Sequence, residues 1–261
     1  MNHNNDSYQQ KKAFYDSLLT IYGRKPCLEA MSSPGVKVFR LHLADSNKPA
    51  KIIDELIALA KKSAAEICRH DKKALSRISK NAKQDQGVAA DLVLPGYRDY
   101  KDYLSKGLQK NQHFIALDSV TNPQNLGMII RSVCASPMAG LILPARGCAK
   151  LDSLVIKASA GTLFRANILR CNELAECLED FKNAGATTVA LRANGTRSLK
   201  DFRQVNNCIY VLGNETEGLS NKVSNSCNDS LAIPMKNGVE SLNVAVTAGI
   251  LAFHSQFLDP L

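Results

Sequence analysis

The sequence predicts an α/β protein, with a mainly parallel sheet carrying helices on both faces and a smaller α/β unit ahead of it. Three observations carry that reading. Short apolar runs at 114–117, 141–143, 166–169, 188–191, 209–212 and 231–233 alternate with helical stretches, as parallel strands joined by crossovers do. A tighter alternation of the same kind runs from about residue 21 to residue 93. Of the 261 residues, 45% are hydrophobic, enough to fill one large domain or two ordinary ones.

Residues 1–20 begin with a polar run and are expected to be a disordered or loosely ordered tail. In the unit 21–93, a strand at 36–44 ends in the turn-rich Asp45, Ser46, Asn47, Lys48 and Pro49. Ile52, Ile53, Leu56, Ile57, Leu59 and Ala60 then follow helical spacing. Residues 66–68 form a candidate strand, Asp71 a candidate N-cap for a helix through Ile78, and 87–90 an extended run. Between 94 and 112 the composition shifts. Pro95-Gly96 marks a turn, and Tyr97, Arg98, Tyr100, Lys101, Tyr103, Lys106 and Lys110 follow. Tyrosines among basic residues could stack bases and bind phosphates. The plainer reading is a linker helix with a solvated basic face, which places the domain boundary here.

The second unit, 113–261, opens with a buried-type strand running into Asp118. Asn122-Pro123 marks a loop, and a helix starts near Asn125. Asn125 and Arg131 are six residues apart, so on one helix they differ by a large angle and meet only if Asn125 sits in the loop. A helix at 153–160 ends at Gly161, and 174–184 is the clearest helix between the later strands. Near the C-terminus a strand at 231–235, a polar turn with Gly238 and a helix at 241–257 follow one another. Leu242, Val246, Ile250, Phe253 and Phe257 share one face of that helix. Ser241 and Asn243 fall in its first turn, where unpaired amides suit an anionic or electron-rich ligand. Taken alone, Ser241 is better explained as an N-cap.

Charge and cysteine usage narrow the function. A formal net charge of +9 favours a polyanionic partner. The eight cysteines show no CxxC pair and no signal peptide or membrane-length apolar run appears, so a cytoplasmic protein with reduced thiols is expected. The five histidines form no ligand spacing, so no metal is expected. The turn from Gly213 to Gly218 follows a strand, where α/β sheets bind ligands. It is not GxGxxG, and no Walker loop occurs, which disfavours an ordinary dinucleotide or ATP enzyme.

Three stretches together resemble the SpoU (TrmH-type) branch of the SPOUT methyltransferases. They are Leu117-Asp118 through Arg131, Val211 through Ser220, and Ile233-Pro234-Met235 through Val244, with Lys157-Ala158-Ser159-Ala160-Gly161 between them. The smaller unit more loosely resembles the family's substrate-binding domain, like ribosomal protein L30e, at Ile21-Tyr22-Gly23-Arg24 and Gln86 to Ala90. The resemblance implies a deep C-terminal trefoil knot, which the rarity of threaded chains would otherwise argue against. It implies S-adenosylmethionine held by Leu212, Gly213, Asn214, Gly218, Ile233, Met235, Ser241 and Leu242, and a homodimer with its sites at the subunit interface. The implied reaction is methyl transfer to a ribose 2′-hydroxyl of RNA, with ribosomal favoured over transfer RNA. Arg131 carries over as the catalytic residue, while Asn125, Glu215, Ser241 and Asn243 position it, the ribose and the methionine, with Glu217 a neighbour. A guanidinium holds its proton tightly, so stabilising the forming alkoxide is an easier role than acting as base, and both are kept. Asn122 stands where the family often has Asp. A catalytically idle RNA-binding assembly factor and a base-modifying enzyme are the competing readings.

Overall fold

The computed structural model describes residues 14–15, 18–81, 84–93, 97–203 and 206–257. Residues 1–13, 16 and 17 of the expected tail, and the Pro95-Gly96 turn, lie outside these residues.

The first unit is a four-stranded sheet of β1 (Leu19–Tyr22), β2 (Lys37–Ala44), β3 (Glu66–His70) and β4 (Val88–Val93), in the order β1-β4-β2-β3. Only β2 and β3 run parallel; β4 is antiparallel to both its neighbours. β1 starts two residues ahead of the expected boundary. Alternation along the strands sends Leu41, Leu43, Ala90 and Leu92 to one face, where helices α1 (Arg24–Ser32) and α2 (Lys51–Lys62) cover them with Cys27, Ala30, Ile53 and Leu56. Helix α3 (Lys72–Ser79) closes part of the other face, packing Leu75 on Ala44 and Ala89. Asp71 caps α3 as expected, its Oδ1 accepting from the Ala74 amide at 2.8 Å.

The second unit is an eight-stranded sheet in which every pair is parallel. Its strands are β5 (Tyr97–Asp99), β6 (His113–Leu117), β7 (Gly140–Pro144), β8 (Ile168–Cys171), β9 (Thr187–Leu191), β10 (Arg197–Ser198), β11 (Cys208–Leu212) and β12 (Asp229–Ala232). They stand in the order β10-β12-β9-β11-β6-β7-β8-β5. Successive residues of β6 feed opposite cores. Ile115 and Leu117 join Leu126 and Ile129 of α5 (Pro123–Ala135), with α6 (Ser153–Ala158) and α9 (Val244–His254) on the same side. Phe114 and Ala116 join Leu178 and Phe181 of α7 (Leu174–Asn183) and Val223 of α8 (Asn221–Asn225). Helices therefore lie on both faces, as the alternation predicts. Phe181 has no solvent exposure and its ring lies 5.5 Å from that of Phe114. Phe181→Ala is expected to cost about 3–5 kcal/mol of stability, read from the midpoint of urea unfolding.

Two sequence expectations need correction. The segment read as a linker, 94–112, supplies strand β5 and helix α4 (Tyr100–Leu104) to the large sheet. Its tyrosines and Arg98 are used internally, while Lys101, Lys106 and Lys110 are exposed. Arg98 lies over the Tyr103 ring and Arg170 over Tyr97, both at 4.8 Å, and buried Tyr100 donates to Asp180 at 2.7 Å. A strand of three residues is too short to show a period. The C-terminal helix spans Val244–His254 rather than 241–257, and its inward face is Val244, Ala245, Ala248, Leu251 and Ala252. Leu242, Val246, Ile250 and Phe257 are exposed instead, Val246 at 52% and Phe257 at 82%. A helix that is apolar all round carries no periodic signal for which side turns inward. No helix among the described residues is long and apolar enough to cross a membrane.

Candidate active site

Strand β11 delivers its C-terminal end to a tight turn. Asn214 and Gly218 exchange both backbone hydrogen bonds at 2.9 Å. The crossing is so close that a Cβ on Gly213 would lie 2.2 Å from the Gly218 carbonyl carbon, and Gly218 itself has φ +71°. The Asn214 side chain stiffens the turn. Its Oδ1 accepts from the Thr216 amide at 2.8 Å, and its Nδ2 donates to the Ser119 carbonyl at 2.9 Å. At the end of neighbouring β6, buried Asp118 accepts from the Ser220 amide at 2.7 Å. The turn is thus anchored to β6 at both its ends.

A second set of polar groups lies behind the turn. Asn122 caps α5, accepting from the Gln124 amide at 2.8 Å. That places Asn125 in the first turn of the helix, with 6% exposure. Asn125 Nδ2 donates to Glu215, and its Oδ1 accepts from Asn243 Nδ2 at 3.1 Å. Asn243 Oδ1 in turn accepts from the amide of Ala245 at 2.8 Å, capping α9. One continuous chain of hydrogen bonds therefore ties α5, the Glu215 turn and the start of α9. Asn243 holds the cap position for which Ser241 was a candidate; Ser241 precedes the helix and is exposed.

Beside this chain is a cleft of about 550 Å³, at the carboxyl ends of β9, β11 and β12. All eight residues assigned from sequence to a cofactor line it, namely Leu212, Gly213, Asn214, Gly218, Ile233, Met235, Ser241 and Leu242. Glu215 lines it too, while Asn125 and Asn243 sit behind Glu215. Arg131 does not line the cleft. It is an exposed residue of α5, with no hydrogen bond or ion pair to another described residue. Asn125 lies within the helix and not in a loop, so the condition under which the two could meet is not fulfilled.

Sequence reasoning missed Arg192, Ala193, Asn194 and Glu240, which also line the cleft. The first three follow β9, and the carboxyl-end rule applied to that strand would have found them. Arg192 donates to Ser224 across the opening. Two thiols near the turn, Cys148 and Cys227, are pushed up to about 11 by burial, so both are neutral at pH 7 and poor nucleophiles.

Comparison with known proteins adds the following. Residues 112–253 match the model of the SpoU rRNA Methylase family, and residues 20–97 match that for RNA 2′-O ribose methyltransferase substrate binding. A Mycobacterium bovis protein named as an uncharacterized tRNA/rRNA methyltransferase is 31% identical over 237 residues, covering 90% of this chain and 73% of its own. Among solved structures, the SpoU methyltransferase AviRb from Streptomyces viridochromogenes, in complex with AdoMet, superposes with a TM-score of 0.67 at 24% identity, covering 94% of this chain and 91% of its own. A putative RNA methyltransferase of the TrmH family from Porphyromonas gingivalis gives 0.62 at 25% identity, covering 93% and 90%. With more than half of its length matched by one family model, and with the parallel sheet and second domain that go with it, the chain belongs to the SpoU rRNA methylase family and is an RNA methyltransferase.

Proposed function

We propose that this protein transfers a methyl group from S-adenosylmethionine to a ribose 2′-hydroxyl of ribosomal RNA. The observation that supports this most is the convergence of the turn from Gly213 to Gly218, the stretch from Ile233 to Met235 and the residues before α9 on one cleft. The lining suits the cofactor. Leu191, Leu212, Ile233, Leu242 and Val244 offer apolar walls for an adenine. Glu215, Glu217 and Glu240 bring negative charge to where a sulfonium would lie.

When bound, that cofactor supplies a methyl group on a positively charged sulfur, ready to leave without metal assistance. The protein's part is positioning and electrostatics. Asn125 and Asn243 hold Glu215 at the cleft wall, so its carboxylate orients without being free to swing. Glu215 and Ser241 orient the ribose and the methionine end. Arg131 presents its guanidinium to the 2′-oxygen and stabilises the alkoxide as its proton passes to water. Since Arg131 lies outside the cleft of its own chain, the site in this proposal is completed by a second copy. Met128, one turn before Arg131 on α5, is exposed, as are Val246 and Ile250 on α9, which packs against α5. An apolar set of that kind is what a homodimer covers.

The net charge of +9 suits an RNA substrate, and the match to the SpoU rRNA Methylase family favours ribosomal over transfer RNA. Eight unpaired cysteines suit a cytoplasmic protein. The family's trefoil knot belongs to the same proposal, and it is supported by the return of the 233–243 segment past the end of β11.

Isothermal titration with S-adenosylmethionine is expected to show one site per chain. Gly213→Ala is expected to show none at concentrations that saturate the wild type, because the added methyl forces the turn open. A folded Gly213→Ala protein that binds normally would place the cofactor elsewhere. Mapping 2′-O-methyl positions in RNA from cells lacking the protein identifies the substrate. Loss of a mark in transfer RNA alone would overturn the ribosomal assignment.

A further inference from the structure

The polar face of the N-terminal sheet carries a cluster that the methyl-transfer chemistry does not use. His42 of β2 and Cys68 of β3 are register partners, and His70 follows two residues later on the same face of β3. One donor atom from each of His42, Cys68 and His70 lies within 4.8 Å of the other two. The sequence shows no ligand spacing because the set comes from two separate strands, joined through helix α2.

His42 is oriented by its surroundings. Its Nε2 lies 2.9 Å from Asp91 Oδ2, and Asp91 is itself fixed by the Thr20 hydroxyl at 2.7 Å. With the ring hydrogen on Nε2 donated to that carboxylate, Nδ1 is the acceptor nitrogen of His42. That nitrogen points at His70 Nε2, 3.0 Å away. A carboxylate behind one imidazole nitrogen and a converging set of donors before the other is the arrangement of a metal-bound histidine. His42 is 5% exposed, whereas Cys68 and His70 are half-buried, so an ion can enter from the β3 side.

We propose that His42, Cys68 and His70 bind a borderline divalent transition-metal ion, zinc first, with water in the fourth position. Two imidazoles and a thiolate suit zinc over magnesium or calcium, which take oxygen ligands. Donors on a zinc tetrahedron stand roughly 3.3–3.8 Å apart, so the nitrogens open by a few tenths of an ångström and the thiolate closes in. Such an ion ties edge strand β3 to β2, distant in sequence from the methyl-transfer cleft.

The test uses the full chain, stripped with a chelator and titrated with Co²⁺, then with Zn²⁺ against a chromophoric competitor. Expected are the visible bands of tetrahedral cobalt and a near-ultraviolet thiolate charge-transfer band, both saturating at one equivalent. Cys68→Ser is expected to abolish the charge-transfer band, Cys148→Ser to keep it, and Asp91→Asn to weaken Zn²⁺ about 10- to 100-fold. Circular dichroism confirms that each variant is folded, and the competition on the wild type stands independently of them. No tetrahedral bands in the wild type, or a charge-transfer band unchanged in folded Cys68→Ser, would overturn the proposal.

Discussion

Replacing Arg131 with alanine is expected to lower methyl transfer by about 100- to 1,000-fold, the usual loss when one group aimed at developing charge is removed. Binding of S-adenosylmethionine is expected to be unchanged, because Arg131 does not line the cleft. Stability should stay within about 0.5 kcal/mol, since the side chain is exposed and has no partner among the described residues. Arg131→Lys keeps the positive charge and should retain part of the rate if the role is electrostatic. A role as base would instead move the pH profile of Arg131→Lys to lower pH, because an ammonium gives up its proton more readily than a guanidinium. Mixing Arg131→Ala chains with Glu215→Gln chains distinguishes action within one chain from action across a dimer. Half of the re-formed dimers are mixed and hold one intact site, so roughly a quarter of wild-type sites should return. No recovery on mixing would place Arg131 and Glu215 in the same subunit's site.

The second large effect concerns the surface of α9. Val246→Asp and Ile250→Asp are each expected to halve the particle mass in sedimentation equilibrium, from twice the 28.4 kDa chain mass to the chain mass itself. The proposed interface is isologous, so each substitution places two carboxylates in one apolar contact. Like charges brought together there cost several kcal/mol, enough to dissociate a dimer at micromolar concentration. Both positions are exposed in the chain, Val246 at 52% and Ile250 at 38%, so the monomer should fold normally. Methyl transfer should be lost along with the dimer. A wild type that is itself monomeric and active would contradict this.

How far the sequence could be read depended on element length and on burial. Strands β6, β7, β9 and β11 were legible to within one or two residues, because strands buried on both faces are continuous apolar runs. Strand β10, at two residues, and β5, at three, gave no such run. The helix from Leu174 was clear because one face is apolar and the other charged, whereas α9 is apolar all round and its inward side stayed undetermined. The cleft was legible as three separate stretches, since glycine turns and a helix start mark themselves locally. What was not legible was their joining through Asn125, for the hydrogen bonds it donates to Glu215 and accepts from Asn243 span 90 and 118 residues. Ser241 and Asn243 were both candidate first-turn residues, and only backbone geometry distinguishes the cap from the residue ahead of it. The His42, Cys68 and His70 set was hidden for the same reason, since strand pairing assembles it.

Incubating the protein with methyl-labelled S-adenosylmethionine and ribosomal RNA from cells that lack it, then digesting the RNA to nucleosides, tests the account most directly. Label is predicted on a single 2′-O-methyl nucleoside, and to disappear with Glu215→Gln. Label on a base, or none in any RNA while the cofactor binds, would contradict it.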